Sequence, residues 1–88
     1  MNSTFLEIFG EIENYLFQKY SDFDRNKGVP ELIKYLHSQN LLDRETTTDL
    51  QNVWEFRNKL FGSKTQLTDE QLNQELRILQ KIKLSLKI

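Results

Sequence analysis

Apolar residues return every three or four positions in four separate stretches of this chain, with polar runs between them. That spacing puts them on one face of a helix. The first stretch holds Phe5, Ile8, Phe9, Ile12, Leu16 and Tyr20, widened by Tyr15 and Phe17. It predicts a helix over 4–21, with Ser3 as the N-cap and Asn2 or Thr4 as alternatives. Gly10, inside it, costs about 1 kcal/mol relative to Ala, which points to close approach by a neighbouring helix. The polar run from Asp22 to Gly28 predicts a loop, with Phe23 folding back over the core.

The second stretch, over 30–39, buries Leu32, Ile33 and Leu36. Pro30 stands at its first position, where a missing N–H does no harm, and Asn40 is a C-cap. Leu41 and Leu42 form an apolar connector. Asp43 then caps a third helix over 44–61, whose core residues are Leu50, Val53, Trp54, Phe56, Leu60 and Phe61. Thr46, Thr47 and Thr48 are poor helix formers, so the start of this helix is expected to be its softest part.

Gly62 and the polar run Ser63-Lys64-Thr65-Gln66 predict a break. Thr68-Asp69-Glu70-Gln71 then reads as a capping box, with Leu67 and Leu72 placed as a hydrophobic staple. The fourth helix, over 69–87, carries Leu72, Leu76, Leu79, Ile82 and Leu86 on one face. Ile78, Leu84 and Ile88 lie off that stripe, either as ordinary exposed residues or as a seam for a partner. No stretch alternates as a strand does. The expected fold is all-α, a four-helix bundle forming one domain over 1–88.

Composition narrows the chemistry. Eighty-eight residues bury roughly 60–65% of the surface that the unfolded chain exposes, so association with a second copy would add useful burial. The chain has no Cys and one His, so neither a disulfide framework nor a metal site is expected, and no cofactor is assigned. No apolar run reaches the ~20 residues of a membrane span, and no signal peptide precedes the first helix, so a cytoplasmic protein is expected. The net charge of −1 argues against a strongly basic nucleic-acid binder. The charge is uneven: residues 1–50 hold 5 Lys/Arg against 9 Asp/Glu, and residues 51–88 hold 7 against 4. The basic second half either faces phosphate or an acidic partner, or Lys81, Lys83 and Lys87 complement the negative end of the last helix.

One segment carries a resemblance. Trp54-Glu55-Phe56-Arg57-Asn58-Lys59-Leu60-Phe61-Gly62 ends the third helix with an Arg-Asn pair. Before it come Ile12-Glu13-Asn14-Tyr15-Leu16, Leu32-Ile33-Lys34-Tyr35-Leu36 and Leu41-Leu42, and after it Leu67-Thr68-Asp69-Glu70. In order and spacing these segments resemble the HEPN domains, small helical bundles of bacterial RNase toxins and defence proteins. The resemblance implies a bundle that pairs through a two-fold axis. In that family the two Arg-polar-His motifs face each other, and RNA is cut between them without metal. Arg57 and Asn58 match the motif. Gly62, Ser63 and Lys64 stand where its His should fall. Ser63 has no useful proton affinity, and Lys64 titrates too high unless buried.

The resemblance therefore assigns no catalytic residue. It leaves Arg57, Asn58, Lys59 and Lys64 as candidates for binding RNA or phosphate. The plainer reading is that Arg57 pairs with an acidic neighbour and Asn58 bonds to the following loop. His37 reads as a half-buried packing residue on the second helix, and Trp54 as core rather than a base-stacking platform. The expected function is a non-catalytic HEPN-like interaction and dimerisation module of a defence or toxin–antitoxin system. Its expected partners are a second copy, an antitoxin-like protein and, weakly, RNA. The alternative is an RNA-binding or metal-independent RNA-cleaving protein acting through Arg57 and Asn58.

Overall fold

The computed structural model describes residues 2–62 and 68–88. They form four α-helices: α1 (Asn2–Lys19), α2 (Val29–Ser38), α3 (Arg44–Gly62) and α4 (Asp69–Leu86). A 3₁₀ turn, Arg25–Lys27, sits between α1 and α2. No strand occurs among the described residues. None of these helices is long and apolar enough to cross a membrane.

Side-chain pairs set the helix directions. Phe5 meets Phe56 and Phe9 meets Trp54, so α1 and α3 run antiparallel. Lys81 reaches Glu45 and Asp49 while Gln71 and Glu75 stand beside Phe56 and Lys59, so α4 also opposes α3. Glu11 pairs with Lys83 and Tyr15 donates to the Leu86 carbonyl, which makes α1 and α4 parallel. α2 lies on the other side of α3, with Pro30 and Lys34 next to Asn58 and Trp54. α3 touches all three other helices.

Most of the core follows the stripes read from the sequence, but Phe61, expected in it, is exposed. Phe5, Ile12 and Leu16 of α1, Leu32, Ile33 and Leu36 of α2, Leu50 and Val53 of α3, and Leu79 of α4 are almost fully enclosed. Phe17, Val29, Leu42 and Ile82 are buried as well. Ile8, Trp54, Leu60 and Leu76 were expected in the core but are only partly covered. Phe23 does fold back, its ring 5.3 Å from that of Tyr35.

Helix ends follow local chemistry. Thr68 is extended, its Oγ1 accepts from the Gln71 N–H (3.1 Å), and its own N–H donates to Gln71 Oε1 (2.9 Å). This is the capping box the sequence spells. The staple partner Leu67 lies outside the described residues. α2 closes through Asn40 in the left-handed conformation (φ 58°), with Leu41 N–H bonded to the Leu36 carbonyl and Asn40 N–H to that of His37. That 6→1 and 5→2 pair is a Schellman motif. α4 closes the same way at Lys87, through bonds to Lys83 and Leu84. Gly28, at φ 90°, turns the chain from the 3₁₀ segment into α2, a conformation costly for a residue with a side chain.

Four expectations need correction. α1 begins at Asn2, so Ser3 lies inside it rather than capping it. Gly10 makes no close helix contact: a methyl group built there would meet nothing within 4 Å. The threonine-rich start of α3 is not a loose polar end. Thr46 and Thr47 are buried, the Thr46 N–H donates to Asp43 Oδ1 (2.7 Å), and the Thr47 hydroxyl donates to the Asp43 carbonyl (2.7 Å). Those bonds satisfy the polar groups, leaving the methyls free to pack. The Thr46 donors also hold the Asp43 carboxyl below the ordinary carboxylate range.

The lysines of α4 are not reserved for the helix end. Lys81 binds Glu45 (2.6 Å) and Asp49 (3.1 Å), and Lys83 binds Glu11 (3.0 Å). Hydrogen bonds to Glu45 and Asp49 raise the Lys81 pKa. Three ion pairs thus join the acidic first half to the basic second half across helix interfaces.

Two substitutions test these points. Gly10→Ala should raise stability by about 0.5–1 kcal/mol, because the site is helical and open; thermal denaturation reads the shift. A lower Tm would mean that Gly10 does serve a close contact. Thr68→Ala should lower stability by about 1 kcal/mol, with amide exchange accelerating first in the opening turn of α4.

Candidate functional site at the end of the third helix

Arg57 sits on the apolar stripe of α3. It follows Val53 by four residues and Leu50 by seven, and both of those are enclosed. At roughly 100° per residue those spacings keep one face. The stripe therefore ends in a charge where another leucine would extend the core. The guanidinium is accommodated by aromatic faces. Its carbon lies 5.0 Å from the centre of the Trp54 ring and 4.7 Å from that of Phe61. Trp54 and Phe61 stand one turn before and after Arg57, so the helix itself builds this clasp. Phe61 is 65% exposed.

Arg57 Nη1 also donates to Asn58 Oδ1 at 3.3 Å. Among the described residues Arg57 makes no ion pair. The acidic neighbour expected for it is thus replaced by two rings and an amide. Trp54 is correspondingly not plain core. One side packs on Phe9, with ring centres 6.1 Å apart, and its face carries Arg57. It also lines a groove between α2 and α3 with Pro30, Ile33, Lys34 and Asn58.

The four candidate residues do not form one cluster. Arg57 and Asn58 are together. Lys59 is turned about 200° around the helix from Arg57, into the α3–α4 groove with Glu55, Gln71 and Glu75. Lys64 lies outside the described residues, as does Ser63. His37 is exposed, not half-buried. It stands seven residues after Pro30, roughly 10 Å further along α2 toward the end that leads to the start of α3. Pro30, Ile33 and Lys34 are the α2 residues that line the groove with Asn58, and His37 is not among them. The α2 stripe is satisfied by Val29, Leu32, Ile33 and Leu36, which leaves His37 on its flank.

The α3–α4 groove holds a carboxyl with a shifted pKa. Burial raises the Glu75 pKa, partly opposed by the Lys59 charge, with Asp49 adding to the rise. Periodicity gave no sign of this, because the penalty comes from two helices closing over one carboxyl. No three acidic or imidazole side chains gather to hold a metal among the described residues. Comparison of the chain with family models, curated proteins and solved structures finds no match.

The sign of the Glu75 effect fixes a test. A carboxyl whose folded pKa is raised disfavours the folded state when ionised, and the penalty disappears as pH falls through that pKa. Glu75→Gln should therefore melt at a higher temperature than the parent at pH 7. The difference should close by about pH 4, where the folded and unfolded carboxyls are both largely protonated. A difference independent of pH would assign the effect to packing instead.

Proposed function

We propose that this chain is a non-catalytic, HEPN-like helical interaction module that self-associates, of the kind that serves bacterial defence and toxin–antitoxin systems. Helix order, the short α2–α3 connector and the Arg-Asn pair at the end of α3 support the family reading. One observation carries the non-catalytic part. Arg57 and Asn58 lie side by side, yet the only imidazole of the chain stands on the far end of α2. A positioned proton-transfer group contributes typically 10²–10⁴-fold to a rate, and the Arg-Asn pair lacks the motif's His.

Surface apolarity supports self-association. Leu84 is 79% exposed, and Leu41 and Ile88 are exposed too. All three lie at one end of the bundle: Leu41 lines a groove with Ser85, Leu86 and Lys87 at the close of α4. A core this small gains from covering them. An antitoxin-like protein is the second partner this reading allows. Binding of RNA through Arg57 and Asn58 is the competing reading, favoured by a guanidinium without a carboxylate.

Sedimentation at micromolar concentration should give twice the mass of one chain, and Leu84→Glu should shift it toward one. Incubation with total RNA should leave the RNA intact. Cleavage by the parent that is lost in Arg57→Ala would overturn the non-catalytic reading and establish an enzyme.

A further inference from the structure

The face of α3 turned away from Arg57 opens into the groove it shares with α4, a space of about 300 Å³, the lower end of the range for small-molecule sites. α3 lines it from Asn52 to Lys59 and α4 from Gln71 to Ile78, on each helix at steps of three, one and three residues. That is the spacing of a packing seam, where a bundle ordinarily places apolar side chains. Only Phe56 and Ile78 are apolar here, and the other lining residues are amides and charges. Glu55 and Lys59 stand one turn apart on α3, and Glu75 lines the α4 side. None of these three makes an ion pair with another described residue. Glu75 is partly buried, and its pKa stays raised although Lys59 shares the groove.

We propose that this groove binds a free basic amino acid, with arginine as the best fit. Glu55 and Lys59 set an acceptor beside a donor on one helix face. The first takes the ligand's α-ammonium and the second its α-carboxylate. Glu75 takes the guanidinium, whose paired N–H groups match a carboxylate in a two-pronged contact. The aliphatic stem of the ligand lies over Phe56 and Ile78. The amides of Asn52 and Gln74 serve the remaining polar atoms, since each can both donate and accept.

Charge selects the ligand. Two carboxylates and one ammonium in the groove complement two cations and one carboxylate in a basic amino acid. A simple amine leaves Lys59 facing a like charge, and a phosphate or other anion meets two carboxylates. An amino acid with a neutral side chain leaves Glu75 without a partner. The groove lies on the side of α3 opposite Arg57, so the site neither uses nor blocks the surface that the HEPN-like reading sets between two copies. It goes beyond that reading and does not depend on it.

Isothermal titration calorimetry of the full chain with L-arginine, at matched chloride, tests the site. Two relatives of the ligand separate its charges: L-citrulline keeps the shape without the side-chain cation, and agmatine lacks the carboxylate. The expected result is saturable binding of arginine, with each relative roughly tenfold weaker, the scale of a charge-assisted hydrogen bond. Glu75→Gln, checked for helicity by circular dichroism, should remove the preference for arginine over citrulline. If Glu75→Gln does not fold, Glu75→Asp should show a reduced preference. Lys59→Gln should remove the preference over agmatine and keep the one over citrulline. No saturable binding, equal affinity for arginine and citrulline, or a preference that survives the matching substitution would overturn the proposal. Sedimentation of the parent without ligand reads self-association independently, so ligand binding and dimerisation fail separately.

Discussion

The buried stripe of α3 is the constraint on which the other helices depend. α3 touches all three others, and Leu50 and Val53 on its stripe are enclosed. A helix with several neighbours needs a stripe wider than a two-helix seam. Here that width extends from Phe56 to the methyls of Thr46 and Thr47. The threonines fit because Asp43 satisfies their polar groups at the first turn. Loss of that cap would leave buried donors without partners at the turn where α4's lysine arrives.

Electrostatics follow from the same arrangement. Antiparallel packing brings Lys81 to Glu45 and Asp49, and parallel packing brings Lys83 to Glu11. Each pair keeps at least one partner exposed to water and adds little stability. Their larger effect is on register and on what remains at the surface. They join carboxylates of the acidic half to lysines of the basic half. Arg57 makes no ion pair among the described residues, and it stands where the apolar stripe runs out. Helix geometry thus sets this charge between the rings of Trp54 and Phe61 at the end of α3.

The helix count, the caps that end α2 and open α3 and α4, and most of the core were legible in the residues because each is local. Spacings of three and four mark a face. Thr68 and Gln71 can satisfy each other across a single turn, and Asn40 can take the left-handed conformation that ends α2. The candidate site was legible only as a pair. Arg57 and Asn58 are neighbours in sequence and remain so in space, whereas Lys59 is carried to another face by rotation alone.

What needed the tertiary structure was everything that depends on two elements meeting. Gly10 and His37 were given packing roles because they lie on or beside apolar faces, yet no neighbouring helix comes close to Gly10 and His37 stands exposed. The raised pKa of Glu75 arises from α3 and α4 closing over it, and the ion pairs of Lys81 and Lys83 from the directions in which helices happen to run. Periodicity tells which face of a helix turns inward, since that follows from the chain's own geometry. It does not tell what stands opposite, because that is set by the mutual packing of faces far apart in sequence.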